Sequence, residues 1–111
     1  MNKKIIKKII KFRDDRNWSQ YHNPKDLAIS ISLEANELLE LFQWNSSKET
    51  VNNNLDEIKE ELADVLIYSI LLSEKLNIDI EKIIENKLDK NAKKYPIEKA
   101  FNSKEKYDKL K

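Results

Sequence analysis

A chain of 111 residues with no glycine, and with only Pro24 and Pro96 for prolines, lacks the residues from which hairpins and tight turns are built. The strands of a sheet need such turns, so this composition predicts an all-α fold. The spacing of apolar residues agrees. Ile5, Ile6, Ile9, Ile10 and Phe12 mark an amphipathic first helix over about 3–16. Asn23 followed by Pro24 opens a second helix that runs to about Trp44. Ser46-Ser47-Lys48-Glu49 has the form of a capping box. It starts a long third helix, with Ile58, Leu62, Val65, Ser69, Leu72 and Leu76 along one face, ending near Asn77. Asp79 caps a fourth helix through Ile83, Ile84, Lys87, Leu88 and Asn91, which stops before Pro96. From about 97 a polar tail follows, with Phe101 and Tyr107 as anchors and order expected to be partial.

At this length residues 1–111 form a single domain that buries only about two-thirds of its unfolded surface, so stability is expected to be shared with partner copies. The chain has no cysteine, which excludes a disulfide framework, a thiolate metal site and a cysteine nucleophile. No signal-type leader opens it, and a cytoplasmic protein is expected. The apolar run from Val65 to Leu72 is far too short to cross a bilayer, so no membrane partner is expected.

Two short phrases carry chemistry. Glu34-Ala-Asn-Glu37 on the second helix is answered 24 residues on by Glu61-Leu-Ala-Asp64 on the third. Spacing of i, i+3 puts each pair on one helical face, so two packed helices bring four carboxylates together. Glu34 falls inside the apolar arc of Leu27, Ile31, Leu38 and Leu41, and Asp64 is embedded in Leu62-Ala63-Asp64-Val65-Leu66. A buried carboxylate without a partner costs several kcal/mol or stays protonated. No Lys or Arg lies between Lys25 and Lys48, or between Lys59 and Lys75, to supply an ion pair. Ligation by oxygen alone then points to a hard cation, Mg²⁺ with Mn²⁺ as a substitute. The plainer alternative is four solvated acids on amphipathic helices. A di-iron bundle would require Glu-x-x-His pairs, and the single histidine, His22, lies outside both phrases.

Charge is unevenly placed although the net is only +1. Residues 1–16 carry seven Lys/Arg against two acids, residues 34–85 thirteen acids against four Lys, and residues 87–111 nine Lys against four acids. An acidic, metal-loaded centre between basic ends suits a polyphosphate ligand, while most single lysines serve as solvated faces. Lys87, Asn91 and Lys94 recur at i, i+4, i+7 and form a stripe able to hold phosphate oxygens. Trp18, Tyr21 and His22 follow the first helix, Trp44 closes the second, and Tyr68 lies four residues after Asp64, on the same helical face. Such aromatic surface either packs in a core or stacks a nucleobase. The basic first helix has no base-reading motif beside it, and nucleic acid is not an expected partner.

These residues together resemble the MazG-like, all-α nucleoside triphosphate pyrophosphohydrolases, and within them the short dCTP pyrophosphatase branch. The likeness runs through Phe12-Arg-Asp-Asp-Arg-Asn-Trp18-Ser-Gln-Tyr-His22, Glu34-Ala-Asn-Glu37-Leu-Leu-Glu-Leu-Phe-Gln-Trp44, Glu60-Glu61-Leu-Ala-Asp64-Val-Leu-Ile-Tyr68 and Lys87-Leu-Asp-Lys-Asn91-Ala-Lys-Lys94-Tyr95-Pro96. The resemblance implies a four-helix bundle completed as a dimer or tetramer, which uses Mg²⁺ to split a (deoxy)nucleoside triphosphate, dCTP or a modified dCTP, into monophosphate and pyrophosphate. It implies Glu34, Glu37, Glu61 and Asp64 as metal ligands; on chemical grounds one of these carboxylates, Glu37, is also expected to orient or deprotonate the attacking water. It implies Trp18, His22, Trp44 and Tyr68 as base and sugar contacts, and Lys87, Asn91, Lys94 and Tyr95 on the phosphate side. The branch often has His where this chain has Ile9, and Gly where it has Leu33 and Asn36. A non-catalytic helical interaction module, its acids paired with lysines of another copy, is the alternative from a different class.

Overall fold

The computed structural model describes residues 2–110, and the regular structure of these residues is entirely helical. Helix α1 spans Lys3–Asp15 and is followed by a 3₁₀ turn at Trp18–Tyr21; α2 spans Pro24–Phe42, α3 Ser47–Lys75 and α4 Ile80–Lys94. The helices begin where the sequence places their caps. Asn23 Oδ1 accepts from the Asp26 amide at 2.8 Å, Ser46 Oγ from Glu49 at 3.1 Å and Asp79 Oδ1 from Lys82 at 3.2 Å, each meeting an amide that has no partner within its helix. At the far ends α2 stops at Phe42 rather than Trp44, and α3 at Lys75 rather than Asn77.

Without glycine, the left-handed backbone positions fall on Asn17, Trp44, Asn77 and Asn102. Asparagine tolerates this region because its short side chain bonds locally. Trp44, at φ 68°, gains no such relief and sits in a strained conformation. Inside α3, Asn54 departs from helical geometry at φ −129°, ψ 26°, and its Nδ2 donates to Glu57 Oε2 at 2.6 Å across the kink.

The chain forms two compact units, one ending at Ile78 and the other beginning at Asp79. In the first, α2 and α3 pack along one another and α1 lies against α3. Leu27, Ile70 and Leu71 are its most buried apolar side chains, each worth about 1.5–3 kcal/mol on burial. Thr50, only 1% exposed, donates through Oγ1 to the Ser46 and Leu41 carbonyls and ties the start of α3 to the end of α2. The buried face of α3 differs from the expected stripe: Leu62 and Leu76 are exposed, while Ile70, Leu71 and Ser73 are buried. The kink at Asn54 and the length of α3 let its contacting face drift around the helix axis.

In the second unit the tail is more regular than expected. A short helix, α5, spans Ile97–Ala100, and a 3₁₀ turn spans Tyr107–Lys109. Tyr107 meets Tyr95 edge to face at 6.2 Å and receives the Lys94 ammonium 4.9 Å from its ring centre. Phe101, expected as an anchor, is exposed.

Candidate metal centre and adjoining cavity

Packing α2 against α3 brings the two acidic phrases together. Glu34, Glu61 and Asp64 offer carboxylate oxygens that all lie within 4.8 Å of one another, and all three residues are half-buried. Glu34 Oε2 and Glu61 Oε2 are buried and have no hydrogen-bond partner among the described residues. Ion pairs are formed away from this cluster, among them Lys11 with Asp15 and Arg13 with Asp14 and Glu74.

Glu37 is exposed beside this trio. With every carboxyl ionised, no donor is available to the buried oxygens, so the group gains by keeping a proton. Glu34 is pushed up to about 7, first by burial, then by a hydrogen bond with Glu37 and the charges of Glu37, Asp64 and Glu61. Glu61 is raised chiefly by its hydrogen bond with Glu37, with burial second. A divalent cation would replace that proton. Oxygens on opposite sides of an ion about 2.1 Å away are about 4.2 Å apart, so small side-chain rotations close this set around Mg²⁺. Two orphaned oxygens and an oxygen-only donor set therefore fit a hard divalent ion.

A cavity of about 330 Å³ adjoins the cluster and shares Asp64 with it. Trp18, His22 and Tyr68 line it, as do Ile67 and Leu71 of α3. Trp18 is held against Phe12, ring to ring at 5.7 Å and 75°, with the Arg16 guanidinium 3.7 Å from the Phe12 centre. Lys75 Nζ donates to the carbonyl and the Oγ of Ser19, both at 3.2 Å, which pins the 3₁₀ turn to the end of α3. Burial, followed by the charges of Arg13 and Lys75, lowers the His22 imidazole, so its ring is neutral near pH 7. Burial and then Glu34, Asp64 and Glu37 raise the Tyr68 phenol, which keeps its proton and stays a donor.

The structure thus joins Glu34, Glu61 and Asp64, sets Glu37 beside them, and places Trp18, His22 and Tyr68 around the neighbouring cavity. Trp44 does not line that cavity, and 92% of it is exposed. Lys87, Asn91, Lys94 and Tyr95 lie on α4 and at its C-terminal cap in the second unit, where the Asn91 carbonyl accepts the Tyr95 amide at 2.8 Å. Arg13, buried in the cavity wall, was not among the expected site residues. Its signal in the sequence is a charge set on the apolar stripe of α1, seven residues after Ile6 and four after Ile9.

The sequence matches the MazG-like family over residues 29–110. The dCTP pyrophosphatase 1 proteins of Rattus norvegicus and Homo sapiens are each 35% identical to it over 104 residues, which is 89% of this chain and 61% of theirs. The chain therefore spans about three-fifths of the length of these curated relatives. The crystal structure of a pyrophosphatase from Archaeoglobus fulgidus DSM 4304 is 43% identical, with a TM-score of 0.79 over 84% of this chain and 90% of that one. On the all-α fold and a family match over most of its length, the chain belongs to the MazG-like family.

Proposed function

We propose that the protein is a Mg²⁺-dependent nucleoside triphosphate pyrophosphohydrolase, with dCTP or a modified dCTP as its substrate class and the monophosphate and pyrophosphate as products. The observation that carries this reading is a three-carboxylate cluster with two unpartnered buried oxygens, which leads at Asp64 into an aromatic-lined cavity. The pyrophosphatase names of its relatives support it.

Glu34, Glu61 and Asp64 would hold the ion, and Glu37 would complete the set or orient the attacking water. When bound, a divalent ion supplies charge neutralisation for the polyphosphate and lowers the pKa of water. The chain's own groups do the rest. Trp18 and Tyr68 offer ring faces to a base, and the Tyr68 hydroxyl and neutral His22 offer polar contacts. Lys87, Asn91, Lys94 and Tyr95 are proposed as phosphate-side contacts on their charge and polarity. No nucleophilic side chain is required.

A homo-oligomer, dimer or tetramer, belongs to the same proposal. Leu33 and Leu39 on α2, and Leu62 and Leu66 on α3, are each close to half exposed or more, an apolar surface that a second copy would cover. Trp44 would join a nucleotide site only within such an assembly. A cytoplasmic location is proposed from the nucleotide substrate.

The test is a screen of common and modified nucleoside triphosphates, with and without Mg²⁺, reading pyrophosphate release. Monophosphate plus pyrophosphate, formed only with a divalent ion, is expected. Diphosphate plus orthophosphate, or turnover indifferent to chelation, would overturn the reading. A non-catalytic module would show no turnover at all.

A further inference from the structure

Arg13 is 6% exposed, in a cavity wall that also contains Ile9, Phe12 and Leu71. A buried charge there needs compensation, and two acids supply it. Nε donates to Asp14 Oδ1 at 2.8 Å, Nη2 lies 2.8 Å from the same oxygen, and Nη1 donates to Glu74 Oε2. A guanidinium carries five N–H donors, so one remains on each terminal nitrogen. One cation between two acids is over-neutralised, which makes Arg13 a poor anchor for phosphate. It serves better as a fixed hydrogen-bond donor.

Its position shows what it would meet. Asp64, Tyr68 and Leu71 follow one another at helical spacing along the cavity. From Asp64 to Leu71 is about 10 Å along α3, and Glu74, which holds Arg13, is nearly a turn further. With phosphates at the acidic cluster, the far end near Arg13 is left for the base. A volume of about 330 Å³ is at the small end for a ligand pocket, which favours one ring over two.

We propose that Arg13 donates to the acceptor edge of a pyrimidine base, O2 and N3 of cytosine, and thereby sets a preference for cytosine over adenine. This rests on the pyrophosphohydrolase reading above. Adenine offers N1 where cytosine offers N3 but a C2–H where cytosine offers O2, so one of the two buried N–H donors is left unpaired.

The experiment measures binding of non-hydrolysable dCTP and dATP analogues with Mg²⁺ to the full chain, in wild type, Arg13→Met/Glu74→Gln and Glu74→Gln. The double variant removes the donors without stranding a buried acid. Its dCTP-over-dATP binding ratio is expected to fall roughly ten- to hundredfold, the worth of a hydrogen bond to a charged group. Glu74→Gln keeps an acceptor for Arg13 and is expected to hold the wild-type ratio within about threefold, since a neutral acceptor changes a net hydrogen bond little. An unchanged ratio in the double variant, or an equal fall in Glu74→Gln alone, would overturn the assignment and leave the pair a structural strut. Wild-type hydrolysis, measured separately, tests the parent reading, so base selectivity without pyrophosphate release would fail only that.

Discussion

Glu34 on α2 and Glu61 on α3 each keep one carboxylate oxygen buried and without a hydrogen-bond partner among the described residues, on facing sides of one acidic cluster. The relationship has a measurable pH dependence. Folded, Glu34 holds its proton to about pH 7, against an ordinary value of 4.5. Between those values the folded state binds more protons than the unfolded state. The contribution is therefore fully present below about 4.5 and is lost as pH rises through 7. Metal-free protein should melt at a lower temperature at pH 8 than at pH 5, and saturating Mg²⁺ should restore most of the difference at pH 8. Melting curves under the four conditions check this; no response to Mg²⁺ would speak against a metal centre.

Asp64 shares the cluster and the cavity wall. Asp64→Asn should abolish turnover while leaving the metal-free fold as stable or more stable, because it removes a like charge from the group. Thermal unfolding in chelator, compared with pyrophosphate release in Mg²⁺, separates the two effects. Loss of folding in chelator would assign Asp64 a structural role instead.

Trp18 is positioned by Phe12, Arg16 and the Lys75–Ser19 contact. Stacking on one base is worth about 1–3 kcal/mol, so Trp18→Ala should weaken nucleotide binding roughly ten- to hundredfold and spare Mg²⁺ binding. Calorimetric titrations of wild type and Trp18→Ala, one with a non-hydrolysable triphosphate and one with Mg²⁺, read the two separately.

Trp44 stores strain at φ 68° with its indole almost fully exposed. Trp44→Gly relieves the backbone and sacrifices no packing within the chain. Stability should rise by about 1 kcal/mol, as measured by denaturant unfolding. If the same variant binds nucleotide more weakly, the strain is held for function. A loss of stability would mean that an assembly covers the indole.

Leu27, 1% exposed between α2 and α3, is a check on the core itself. Leu27→Ala should cost about 2–5 kcal/mol by chemical denaturation, because the surrounding helices close only partly over the void.

Much of this protein was legible in its residues. The missing glycine and the caps at Asn23, Ser46 and Asp79 fixed an all-helical chain and its helix starts, since these depend on local backbone bonding. Helical spacing placed Glu34 on a core-facing arc, and the absence of nearby cations left the acids unpaired. Spacing along one helix could not decide which residues of different helices meet. The order of the tail rests on Tyr107 meeting Tyr95 and Lys94, and the fate of Arg13 on Glu74, which is 61 residues away. The family resemblance grouped Trp44 with Trp18, His22 and Tyr68 as base and sugar contacts. Only the left-handed end of α2 turned it out to solvent, while the packing of α1, its following turn and α3 gathered Trp18, His22 and Tyr68 around one cavity. Local chemistry thus determined the helices and their polar faces, and long-range packing alone chose which faces close on each other.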